Sequence, residues 1–236
     1  MLRWLPLALV LAGCSFEPRS TTSSNGDDTG DPPRDAALDD ASATPGIDAA
    51  PAPDAPPGSQ VTTFTSVADL YLRTSVAPDE NTNDRNFMVV DGDLVTVILL
   101  RFDLTALPAG TSVLGAELRL ANANDSGEPC TFHRLLEAWD EATATANQRM
   151  TGVSWGGVGA TPPSRANEVA GTISPILANL QYSADLDPAL VASWIQTPAT
   201  NFGVALITAS SNGSRFWTRE VLVSAARPVL RVTHSP

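Results

Sequence analysis

From residue 61 onward the chain breaks into short runs whose apolar and polar side chains alternate. Ala116-Glu117-Leu118-Arg119-Leu120 keeps a strict two-residue period, and so does Leu230-Arg231-Val232. That period places one set of side chains in a core and the other in water, the signature of a half-buried strand. Thr96 to Phe102 is a longer apolar run rich in β-branched residues and predicts a more deeply buried strand. Leu70 to Arg73, Phe87 to Val90, Phe132 to Leu135, Leu180 to Leu186 and Phe202 to Ile207 complete the predicted strands. Turn clusters separate them at Asp91-Gly92-Asp93, Pro108-Ala109-Gly110, Asn124-Asp125-Ser126-Gly127 and Ser210 to Ser214. One helix is predicted from Asp187-Pro188 to Gln196: Asp187 suits the N-cap, Pro188 the first turn, and Leu190, Val191, Trp194 and Ile195 give an apolar face. The pattern predicts an all-β domain over 61–236, a sandwich or barrel with one short helix.

The first 60 residues follow other rules. Arg3 precedes an apolar run, Trp4 to Ala12, that is far shorter than the roughly 20 residues needed to cross a bilayer. Leu11-Ala12-Gly13-Cys14 then places a thiol directly after small residues. This resembles the lipobox of bacterial lipoproteins, which implies a signal peptide over 1–13, lipidation of Cys14, and an exported protein tied to a bilayer. Several acyl chains anchor a protein stably. An ordinary secretory signal with a chance cysteine is the alternative. Ser15, in place of the aspartate that commonly retains lipoproteins in an inner membrane, implies an outer membrane or cell surface.

Residues 14–60 are first rich in Ser and Thr, then in Asp, Ala and Pro, with nine acids against two arginines after Cys14. Such a stretch buries too little apolar surface to offset its ordering entropy, so a disordered tether is predicted, spanning roughly 35–40 Å or more. An acidic interaction tail is the rival reading. The chain has no lysine, and its net charge of −12 argues against nucleic-acid binding. With Cys14 lipidated, Cys130 has no disulfide partner and is expected to be a small buried hydrophobe; a reactive thiol is the alternative.

Seven pieces occur in an order that resembles the DNRLRE domain, close to carbohydrate-binding module family 96. They are Asp69-Leu70-Tyr71-Leu72-Arg73, Leu99-Leu100-Arg101-Phe102-Asp103-Leu104, Gly115 to Leu120, Glu137-Ala138-Trp139-Asp140-Glu141-Ala142-Thr143, Trp194 with Asn201-Phe202-Gly203, Thr218-Arg219-Glu220, and Ala226-Arg227-Pro228 to Thr233. The resemblance spans about residues 62–234. It implies a jelly-roll β-sandwich, and some members of that family bind acidic polysaccharide. The sequence departs from the family at Asn83-Asp84-Arg85 and in the loop after Trp139, where Trp155 and Pro162-Pro163 arrive late.

Candidate chemistry is sparse. His133 and His234 stand alone, without metal-type spacing. Asp140 and Glu141 are adjacent, which does not suit a carboxylate pair flanking a glycosidic bond. No catalytic residue is assigned, and the domain is expected not to be an enzyme. A structural calcium is the one cofactor considered, with Asp91 and Asp93, or Asp79 and Glu80, as ligands; turn chemistry explains the same residues. Arg73, Arg101 and Arg219 fall in the best-matching pieces, beside Asp69, Asp103 and Glu220. They are either structural ion pairs or forked donors for sugar carboxylates or sulfates. Arg101 shares strand parity with Val97 and Leu99, so a half-buried position is expected. Trp139 and Trp194 are expected in the core, whereas Trp155 in its glycine loop and Trp217 beside Arg215 are candidate sugar platforms. The expected function is non-catalytic carbohydrate binding at a cell surface; the alternative is a structural or adhesive module with a protein partner.

Overall fold

The computed structural model describes residues 57–236 apart from residue 125. The proposed signal peptide, Cys14 and all but the last residues of the proposed tether lie outside the described residues. Twelve strands follow in chain order: β1 (Gln60–Arg73), β2 (Phe87–Val90), β3 (Thr96–Phe102), β4 (Val113–Ala121), β5 (Cys130–Arg134), β6 (Gln148–Met150), β7 (Val153–Ser154), β8 (Gly171–Ile173), β9 (Gln181–Asp185), β10 (Val204–Ile207), β11 (Ser214–Trp217) and β12 (Val229–His234). Among the described residues one α-helix, α1 (Pro188–Gln196), precedes β10.

Eight of these strands hydrogen-bond in the order β8-β5-β10-β3-β1-β12-β4-β9. The pairings are antiparallel. Strand β1 belongs to both halves of this array: Gln60 to Thr65 pair with β12, and from Ser66 onward it pairs with β3, with an irregularity between Ser66 and Ala68. A bulge of that kind bends a strand and lets it change sheets. The array folds over so that its two ends approach. Gly171 of β8 lies against β9 so closely that a Cβ there would meet the Asp185 carbonyl oxygen at 2.6 Å. One layer is β1-β12-β4-β9 and the other β3-β10-β5-β8. Counted along the chain, these eight strands are paired first-eighth-third-sixth and second-seventh-fourth-fifth, the double Greek key of a jelly roll. The described residues form an all-β sandwich with one short helix.

The core between the layers contains Phe64, Ile98, Leu100, Leu118, Phe132, Trp194 and Leu230. A second apolar cluster lies on the other face of β3. There Leu70, Leu72, Val97, Leu99 and Ala205 are covered by Leu135, Trp139, Ala144, Ala146, Trp155 and Ala160. Residues 135–160 therefore form a cover over one sheet, stiffened by the β6-β7 hairpin. This explains why β3 reads as apolar throughout: both of its faces are buried.

Helix α1 forms as its sequence predicts. Asp187 accepts a hydrogen bond from the Ala189 N–H at 2.9 Å, and Val191, Trp194 and Ile195 are buried. The first half of β1 was not predicted, because its pattern is inverted. Val61 points outward at 47 % exposure, while Ser66 is buried on the polar Thr/Ser run. Strands β6, β7, β8 and β11 were not predicted either, and Ser214, read as part of a turn, begins β11.

Candidate functional site

Cys130 and Phe132 face the core from β5, and Arg134 follows them at the same two-residue period. A charge on the core-facing parity of a strand has to emerge where the core ends. Arg134 does so into an open groove of about 570 Å³. The groove lies where β5 leaves the sandwich, between the segment leading into β8 and the first turn of α1. Leu136, Pro163, Val169 and Leu190 give it apolar walls, and Arg165 stands beside Arg134.

Arg134 is half-buried, and its Nε is sealed from water without an acceptor. Among the described residues it forms no ion pair. Arg165 donates from Nη1 to the Ala160 carbonyl at 2.8 Å, forms no ion pair among the described residues, and burial pulls its guanidinium below the usual arginine range. Burial, followed by the charge of Arg165, likewise lowers the pKa of His133 and so favours its neutral form. Glu168 is exposed on the groove's lining, and Asp187 is engaged as the cap of α1. The groove thus presents two guanidiniums whose anionic partners are missing. A half-buried unpaired charge is costly, and a carboxylate or sulfate offers the forked acceptors that would offset that cost.

The residues singled out from sequence are placed elsewhere. Arg73 pairs with Glu80 rather than with Asp69. Arg101 is half-buried as expected, but its partner is not Asp103. It sits over the Trp139 ring, 5.2 Å from the centroid, and donates to the Trp139 carbonyl at 3.1 Å, while Asp103 accepts from Thr105. Arg219 does meet Glu220, at 3.0 Å, and also Glu141. The three arginines share no partner. The expectation of an exposed Trp155 is corrected: it is 5 % exposed and donates from Nε1 to the Thr145 carbonyl at 2.8 Å, so it packs beneath the cover and offers no stacking face. Trp217 is half-buried on β11, opposite Phe87. Trp139 and Trp194 are core residues as expected, each 2 % exposed, and the Cys130 thiol is buried.

Asp91 accepts from the Leu94 N–H, as turn chemistry requires, and Asp93 is exposed. Among the described residues, metal-type side chains converge in threes only at Asp69, Glu141 and Glu220, whose oxygens lie within 4.8 Å of one another. A cation already stands among them: the Arg219 guanidinium, bonded to Glu141 at 2.6 Å and 3.1 Å and to Glu220 at 3.0 Å. The cluster is an ion-pair knot at the free edge of β1. Past the bulge β1 has no strand partner on that side among the described residues. Instead the Asp69 N–H donates to Glu141 at 2.7 Å, and the Tyr71 N–H donates to the Thr82 hydroxyl at 3.0 Å. Asp69 is fully buried. Burial, followed by the charges of Glu220 and Glu141, outweighs the hydrogen bonds from Ser66 and the Arg219 N–H and pushes its pKa up to about 7.

Sequence reasoning missed Arg134 and Arg165. The signal for Arg134 was its parity with Phe132. Arg165 gave none, since the fold alone brings it beside Leu135.

No protein-family model matches this chain, and no curated protein matches it. The class that fold and site define is a jelly-roll β-sandwich with an arginine-bearing groove at one end.

Proposed function

We propose that this is a lipid-anchored surface protein whose sandwich binds an acidic carbohydrate in the Arg134–Arg165 groove without acting on it chemically. The observation that carries the reading is the pair of guanidiniums without carboxylate partners, in a domain where 11 arginines face 17 acids over residues 61–236. In such an acid excess, an arginine left unpaired in a groove is available to an incoming anion. The apolar walls suit the C–H faces of a sugar ring, and a few convergent polar groups on an apolar lining are the usual make-up of a small-ligand site. The DNRLRE resemblance points to the same ligand class, and the resemblance of Leu11 to Cys14 to a lipobox supports a position outside the cell.

A structural or adhesive role is the second reading. It is favoured by the neighbouring Leu222 and Val223, 96 % and 62 % exposed. A glycan array carrying uronate-bearing, sulfated and neutral glycans separates the two. Retention confined to anionic glycans is expected, and a blank array gives preference to the protein-partner reading.

A further inference from the structure

We propose that the buried carboxyl of Asp69, packed against Glu141, Arg219 and Glu220, forms a proton-linked clasp that fastens the 135–160 cover, and the segment after β11, to strand β1.

The charged groups facing Asp69 come from two elements: Glu141 from the cover, and Arg219 and Glu220 from the segment after β11. Three carboxylates and one guanidinium, all ionised, leave two uncompensated negative charges in a largely buried spot. One oxygen of the group records the imbalance directly: Glu220 Oε2 is buried and has no donor. A proton on Asp69, whose carboxylate lies within 4.8 Å of the other two, removes one of those charges. Each acid also holds something in place. Glu141 accepts the Asp69 N–H, Asp69 accepts the Arg219 N–H at 3.1 Å and the Ser66 hydroxyl at 2.7 Å, and Arg219 bridges Glu141 and Glu220. Opening the clasp frees the edge of β1 and one end of the cover together.

The direction of the pH effect follows from linkage. In the closed clasp Asp69 releases its proton near pH 7; opened to water, it releases it near its ordinary 3.8. Between these values the closed form holds a proton that the open form does not. The opening constant therefore rises by up to about tenfold per pH unit from pH 4 to 7 and levels off above. The clasp is tightest in acid.

Hydrogen exchange on the full chain, corrected for intrinsic rates, reads this at pH 5, 6, 7 and 8 in peptides covering Asp69 and residues 138–146. The opening constant is expected to climb to pH 7 and then flatten, and Asp69→Asn is expected to remove the climb. If Asp69→Asn does not fold, Glu220→Gln provides the test: with one fewer neighbouring charge, the plateau begins at a lower pH. Opening that is independent of pH in the parent chain overturns the proposal. So does an unchanged climb in Asp69→Asn, or an unmoved plateau in Glu220→Gln.

Discussion

A tryptophan between glycines invites the reading of an exposed loop residue, and Trp155 shows why that reading fails. The glycines around it are there for close approach. A Cβ at Gly157 would meet the Thr161 carbonyl at 2.4 Å, and Gly159 adopts a φ of +67°. They let the cover press down and seal the indole over Leu70, Leu72 and Leu99. Trp155→Ala is accordingly expected to cost ~3–5 kcal/mol of stability, measured as a lower denaturant midpoint, while the protein that remains folded keeps its ligand affinity. Arg134 is the opposite case. Its charge lies on the parity of Phe132, so its departure from the core pattern is visible in the sequence. What no pattern shows is that its neighbours leave it unpaired, because Arg165 reaches it only through the path of the cover.

At the scale of elements, legibility tracks how far burial follows local periodicity. Strands β2 and β3 begin and end where their apolar runs do, and α1 starts at the Asp187-Pro188 signal. Strand β1 hides its first half, because Thr and Ser occupy positions the sandwich buries and Val61 faces water. The short β6 and β7 carry almost no apolar signal, since neither has a buried residue. They exist because the cover needs a stiff return over β3. The cap of α1 is a testable piece of this account: Asp187→Ala should cost about 1 kcal/mol, read as a fall in Tm. The same change removes an acid from the lining of the groove, so affinity for an acidic ligand should hold or rise despite the lost stability.

For the whole molecule, the proposed anchor and acidic tether would hold the sandwich away from a bilayer. Cys14→Ser should then release the protein from the detergent phase into the aqueous phase on partitioning; retention in the detergent phase by the variant contradicts the anchor. The domain's acid excess repels a polyanion at long range, and salt screens that repulsion beyond roughly 8 Å at physiological strength. Contact with the groove arginines should therefore be weak at low salt and improve modestly as salt is added, whereas a neutral glucan would show little dependence. The most direct test of the central claim is calorimetry of the full chain carrying Cys14→Ser against alginate, pectin and neutral glucans at two salt levels, repeated with Arg134→Ala. The account predicts binding heat with the uronate polymers, none with the glucans, and an affinity at least about tenfold weaker in Arg134→Ala, the scale of one lost charge-assisted hydrogen bond. Absence of heat with every polymer, or uronate binding that Arg134→Ala leaves unchanged in a folded protein, contradicts it.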